Sequence, residues 1–134
     1  MENLALKTKI SVLWLFEEVA FLAYMMLTTL EPGVIEQIMT GEIEGMKIGP
    51  EILLLLAILL LVPLVMAFLS LTLKDSTNRW ANIILGIVFA GLELLNLVEL
   101  LANPSAHRIL MTLSKVVVAA LIVWYAYKWP KEGV

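Results

Sequence analysis

Long apolar stretches dominate the chain, and short polar stretches separate them. Four apolar windows lie at about 8–30, 52–73, 80–102 and 108–129. Crossing the hydrocarbon of a bilayer takes about 20 helical residues, and an unpaired backbone cannot cross lipid, so each window predicts a transmembrane helix. Because the connections are short, neighbouring helices should be antiparallel. The pattern predicts one all-α domain over residues 1–134, an integral membrane four-helix antiparallel bundle.

The first loop predicts one further element. Pro32 suits the first turn of a helix, apolar residues share one side of about 32–40, and Gly41 suits its end. Such a short helix would lie flat at the membrane interface. The alternative is an irregular loop that carries apolar residues by chance.

Composition narrows the function classes. The 134 residues are 61% hydrophobic and 16% charged, with a mean hydropathy of +0.95, whereas soluble domains are about 25% charged. A net charge of -3 offers no basic face for nucleic acid. The chain has no cysteine, one histidine, no glycine-rich phosphate loop and no nucleophile and base at usable spacing. We therefore expect no catalytic residue, no cofactor and no metal site.

Basic residues cluster at one end of the predicted bundle. The end with both termini carries Lys7, Lys9, Lys74, Arg79, Lys128 and Lys131, and the other end carries Lys47 and Arg108. The positive-inside rule then predicts a multi-pass protein of the cell membrane with both termini in the cytoplasm. Tryptophan and tyrosine residues at the same end predict an aromatic belt.

Six polar residues lie inside the apolar windows: Glu17, Glu18, Glu93, Asn96, Glu99 and Lys115. A charge at mid-membrane costs about 2.5 to 3.5 kcal/mol, so these groups should face protein, water or each other. Together with Tyr24, which flanks the two glutamates of the first window, they form the candidate ligand or proton site.

The third window has a stripe of small and polar residues. Asn82, Gly86, Ala90 and Glu93 fall within a narrow arc of a helix, and small residues let a neighbouring helix approach. This stripe could serve helix packing alone. Because Glu93 and Lys115 are equally far from the turn at Pro104, we expect them to form an ion pair across the hairpin of the last two helices.

The first window places Glu17 and Glu18 about 100° apart, so one faces the bundle and the other a helix seam or the cytoplasmic half. Four carboxyl groups against one ammonium predict that at least one of Glu17, Glu18 and Glu99 is protonated at neutral pH. Pro63 predicts a kink in the second helix and a carbonyl of Leu59 without its usual partner. That carbonyl could bind a cation or water, although a packing kink explains the proline equally well.

Several motifs resemble an uncharacterised prokaryotic membrane family, the domain of unknown function 6326. They are Asn78–Ile84, the Pro63 helix, Ile122–Trp129, Leu13-Trp14 and Glu31-Pro32. The resemblance covers nearly the whole chain and implies a small four-helix membrane protein, with no known activity or site. Leu61 and Val62 stand where an acidic residue is common in the family, and Lys115 stands where an acid is expected.

Three functions are compatible with the sequence. The first is a small membrane carrier or ligand-binding bundle with a buried carboxylate and lysine site, whose partners would be lipid and a small apolar or cationic ligand. The second is a structural or accessory subunit, alone or as a homo-oligomer, whose buried charges only hold helices together. The third is a membrane enzyme that acts on a lipid-soluble substrate with glutamates as acid and base.

Overall fold

The computed structural model describes residues 2–130, and within them it confirms the all-α class. Four helices are long and apolar enough to cross a membrane, and a short helix and a small hairpin lie in the first loop. The elements are α1 (Glu2–Thr29), α2 (Val34–Met39), β1 (Glu42–Ile43), β2 (Met46–Lys47), α3 (Pro50–Thr72), α4 (Asp75–Ala102) and α5 (Ala106–Tyr127). Lys131, which contributes to the charge asymmetry, lies outside the described residues.

The helices begin earlier than the apolar windows. The first window starts near residue 8 and the third near residue 80, whereas α1 starts at Glu2 and α4 at Asp75. Polar first turns lower the local hydropathy, but they continue the helix, and an acidic residue such as Asp75 is favourable beside the positive end of the helix dipole. α1 and α4 therefore each carry a polar extension beyond the predicted apolar window.

The hairpin was not predicted from the sequence. Its strands are two residues each and pair antiparallel, with Glu42 opposite Lys47. Both residues of the turn have positive φ, 47° at Glu44 and 79° at Gly45, which is the backbone of a two-residue hairpin turn. Glycine adopts this conformation freely, whereas Glu44 is strained in it.

The helices do not pack as a ring of sequence neighbours. α1 lies between α3 and α5, and α5 also packs along α4. α3 and α4 have few contacts with each other although they follow in sequence. The short turn between them keeps their ends together, but the packing of α1 against both α3 and α5 determines where they lie. As a result, α1 and α5 form the centre of the bundle.

A ladder of buried amides joins three helices near the termini. Asn82 Oδ1 accepts from Trp14 Nε1 at 2.6 Å and from Ser70 Oγ at 3.3 Å, and its amide donates to Asn78 Oδ1 at 2.7 Å. Asn78 in turn donates to the carbonyl of Ser70 at 2.7 Å. Both asparagines are fully buried. Because a buried unpaired polar group is costly, this network fixes α1, α3 and α4 relative to one another at the end that carries both termini.

The surface of the bundle is apolar, and the interior is partly polar. Large apolar side chains such as Leu54, Leu95 and Val98 are more than half exposed, while Glu17, Asn82 and Thr112 are buried. A soluble protein rarely exposes such a continuous apolar surface. The arrangement is therefore that expected of helices surrounded by lipid.

Two small residues of α4 face the bundle interior. A side chain added at Gly86 would meet Val123 Cγ2 at 2.7 Å and Ile122 Cγ2 at 3.3 Å. Ala90, one turn further on, is half-buried against the core. α5 therefore packs directly against the backbone of α4 at Gly86.

We expect Gly86→Ala to destabilise the protein relative to Gly91→Ala by about 1 to 3 kcal/mol, because the added methyl overpacks against a stiff β-branched neighbour. Gly91 is the matched control, since it lies on the same helix and nothing lies within 4 Å of the position of an added Cβ. Thermal unfolding in detergent measures the difference. Equal unfolding temperatures for the two variants would contradict the close approach.

Candidate functional site

Three buried charged side chains from three helices meet inside the bundle. Glu17 of α1 is 2% exposed, Glu93 of α4 is 7% exposed and Lys115 of α5 is 6% exposed. Each helix presents this residue on its inward side because the apolar residues around it face outward. The fold therefore brings together two acidic residues and one basic residue from three different helices.

The two carboxyl groups lie close to each other. Glu17 and Glu93 are within hydrogen-bonding reach, and Lys115 lies within electrostatic range of both. Glu17 Oε1 and Glu93 Oε2 have no donor among the described residues. A carboxylate accepts hydrogen bonds but cannot donate one, so a bond between two carboxyl groups requires one proton.

The predicted direct ion pair between Glu93 and Lys115 is wrong. Within residues 2–130, no carboxylate oxygen lies within about 4 Å of the ammonium. Lys115 Nζ instead lies over the rings of Phe21 and Tyr24, 4.8 Å from each centroid. The prediction considered the last two helices alone, whereas α1 packs against α5 and fills the space with Glu17 and these rings.

A neutral polar layer lies one turn from this cluster. Asn96 Nδ2 is 3.2 Å from Thr112 Oγ1 and 3.5 Å from the Tyr24 hydroxyl. Thr112 is fully buried, and Asn96 is half-buried. These side chains therefore link the same three helices as Glu17, Glu93 and Lys115.

Glu18 is also buried, on a different side of α1. It is 4% exposed, and its Oε1 has no hydrogen-bond partner among the described residues. Ser11, seven residues earlier and so on the same helical face, donates to the carbonyl of Ala67 in α3 at 2.7 Å. In an antiparallel pair, Glu18 then lies at the depth of Leu60. The neighbouring Leu59 carbonyl lacks its usual partner, because the buried Pro63 has no N–H. Glu18 thus faces α3, away from Lys115.

Glu99 is not part of either group. It is exposed on the outer side of α4, about 120° around the helix from Glu93 and near the last turn. The structure therefore brings together Glu17, Glu93 and Lys115, with Tyr24 and Asn96 beside them. Glu18 and Glu99 lie apart.

A cavity of about 490 Å³ opens beside the cluster, at the end with the first loop. α1, α2, the hairpin and the start of α3 enclose it, and its walls are mainly apolar. Phe21 and Tyr24 line this cavity and also contact Lys115. The cavity and the buried charges therefore share a wall of two aromatic rings.

An arginine of α5 crosslinks the mouth of the cavity. Arg108 binds both carboxylate oxygens of Glu31, at 2.7 and 2.9 Å, and also Glu44 of the hairpin turn at 2.8 Å. His107 Nε2 lies 2.7 Å from Glu31. The hydrogen bond from Arg108 lowers the pKa of the Glu31 carboxyl below its usual range. The sequence prediction overlooked this group, although opposite charges at the facing ends of two helices were a signal for it.

Comparison with known families shows which family the chain belongs to. A family of unknown function, DUF6326, matches residues 3–134. The chain belongs to this family. No curated protein and no solved structure matches the chain. DUF6326 carries no assigned activity, and among residues 2–130 no group of three or more His, Asp or Glu side chains is placed to hold a metal ion.

The contact between Arg108 and Glu31 should make stability depend on pH. Because folding lowers the pKa of Glu31, the stabilisation is complete above the usual glutamate pKa of about 4.3 and is lost as pH falls through the lower value of the folded protein. Both side chains are partly hydrated, so we expect a loss of up to about 1 kcal/mol. Unfolding temperatures in detergent between pH 7 and pH 3 measure it.

In Glu31→Gln this part of the acid-induced loss should be absent. The matched control is Glu36→Gln, an exposed glutamate of the same loop region with no ion pair among the described residues. An unchanged acid profile in Glu31→Gln would show that the contact does not stabilise the fold.

Proposed function

We propose that this protein is a small membrane carrier or ligand-binding bundle in which Glu17 and Glu93 share a proton beside Lys115. The observation that carries the proposal is the meeting of these three buried charges behind the aromatic wall of a cavity. In this proposal the glutamates lie within the membrane, and both termini lie in the cytoplasm, as the basic residues at that end favour.

Charge balance supports the shared proton. Two carboxylates and one ammonium would leave a net negative charge inside an apolar bundle, which is costly. One proton between Glu17 and Glu93 makes the group with Lys115 neutral. Their proximity, and the lack of a donor to Glu17 Oε1 and Glu93 Oε2 among the described residues, are consistent with this state. The pair should therefore release its proton more readily when the charge around it changes.

A ligand in the cavity can alter the surroundings of the carboxyl pair through the aromatic wall. Phe21 and Tyr24 contact Lys115 on one side of the site and line the cavity on the other. A ligand that moves these rings also moves the surroundings of the ammonium. Since the charge of Lys115 helps to set which state of the carboxyl pair is favoured, ligand binding and proton release are coupled.

The second candidate function is a structural or accessory subunit. The stacking of Lys115 on two rings of α1 favours it, because this contact ties α5 to α1 without any chemistry. The amide ladder around Asn82 is likewise a structural element. In such a protein the carboxyl pair would keep its proton.

Proton flux in proteoliposomes separates the two functions. Vesicles with a trapped pH indicator and a potassium diffusion potential should acidify faster with the wild type than without protein. Glu17→Gln should reduce the rate to that of protein-free vesicles, because the shared proton is lost. Glu51→Gln, an exposed glutamate at the start of α3, should keep the wild-type rate.

Thermal unfolding of each variant shows that it is folded. A wild-type rate in folded Glu17→Gln would contradict the role of the carboxyl pair. Wild-type flux no faster than that of empty vesicles would contradict the carrier and favour the structural subunit.

A further inference from the structure

The cavity at the first-loop end has the form of a ligand site. Its volume of about 490 Å³ lies in the range of about 300 to 1,000 Å³ that is usual for small-molecule pockets. Phe21, Met25, Ile52 and Leu56 are among its apolar wall residues. Aromatic and methionine side chains adapt to apolar ligands of different shape.

One polar group in the wall lacks a partner. The Thr28 side chain is 9% exposed, and its hydroxyl forms no hydrogen bond within the described residues. Buried hydroxyl groups are normally hydrogen-bonded. A ligand or a water molecule that it brings can satisfy this group.

The charged residues of the wall leave an excess of negative charge. Glu31, Glu44 and Arg108 line the cavity, so one positive charge stands against two negative ones. The guanidinium is already bound to both carboxylates, with both oxygens of Glu31 engaged. An anion would find no free cation in this wall, whereas a cation meets a favourable field at the mouth.

The hairpin holds one of these charges in place. Glu44 sits in a strained turn conformation, with φ of 47°, and its side chain reaches Arg108. Ile43 and Met46 on either side of the turn also line the cavity. The hairpin thus supplies both an apolar wall and the excess carboxylate.

We propose that the cavity binds a lipophilic cation, a molecule with a mainly apolar body and one positive charge. This inference rests on the proposed function and names the ligand class of the same site. The apolar walls take up the body of the ligand. The net negative charge of the wall favours a positively charged ligand over a negatively charged one. The neutral cluster of Glu17, Glu93 and Lys115 behind the rings neither repels nor attracts the ligand strongly.

The test uses two ions that share one shape. Tetraphenylphosphonium and tetraphenylborate carry four phenyl rings and opposite charges. The chain has no cysteine, so a thiol placed in the cavity is the single target of neutral N-ethylmaleimide. Met25→Cys places it in the cavity wall, and Met26→Cys is the matched control because Met26 is exposed on the outer side of α1.

We expect the phosphonium to slow the labelling of Met25→Cys in detergent and to leave Met26→Cys unaffected, while the borate protects neither. Adding Glu44→Gln to Met25→Cys should weaken protection by the phosphonium about threefold to tenfold, because it removes one negative charge from a partly hydrated site. Glu42→Gln removes the same charge from the same hairpin but outside the cavity wall, so its effect should be smaller.

Equal protection by the two ions, stronger protection by the borate, or no protection by the phosphonium would overturn the ligand class. These results are independent of the proton flux. Protection by the phosphonium in a protein without flux would leave the cation site standing and refute the carrier. Proton flux that depends on Glu17, without protection by the phosphonium, would support the carrier and refute the cation site.

Discussion

The contact between Glu17 and Glu93 beside Lys115 is the interaction on which the rest of the structure depends. Charged side chains on helices surrounded by lipid have to be brought together inside the bundle, because each would be costly on the surface. α1 supplies one of the three groups, and it packs along α5 so that its side chains reach those of α4 across the bundle. Its central position, with α3 on its other side, follows from this requirement.

The two ends of the bundle differ in their packing. At the end where α1 begins, the buried Trp14 indole, the Ser70 hydroxyl and the two asparagine amides of α4 are joined in one network through Asn82. At the other end, a short helix and a hairpin enclose a cavity, and Arg108 joins them to α1 and α5. One end is thus held by a buried network, and the other surrounds the cavity that we propose as a ligand site. The charged cluster lies between them.

The sequence was sufficient to predict the fold class, because four windows of about the length of a bilayer leave few alternatives. It also indicated which face of α4 is buried, since Asn82, Gly86, Ala90 and Glu93 share a narrow arc. It grouped Glu99 with the buried charges, however, whereas Glu99 is exposed. The predicted ion pair between Glu93 and Lys115 was wrong because the prediction did not consider a third helix. Depth along a hairpin does not reveal which third helix enters it, and here α1 brings Glu17 and two rings to Lys115.

The cavity could not be predicted from periodicity. It depends on a hairpin whose turn is two residues long and on a contact between Glu44 and Arg108, which are far apart in sequence. No repeating pattern of apolar residues encodes such a contact. The opposite charges at the ends of α1 and α5 were the one available signal, and they indicate proximity without indicating an enclosed space.

The most direct measurement for the shared proton is infrared spectroscopy of the purified protein at neutral pH. A shared proton predicts a carboxylic acid C=O band that Glu17→Gln and Glu93→Gln each remove, because the remaining carboxylate then balances Lys115 and needs no proton. Glu18→Gln should leave this band in place. Absence of the band in the wild type, or its persistence in both Glu17→Gln and Glu93→Gln, would rule out a proton shared by the two carboxyl groups.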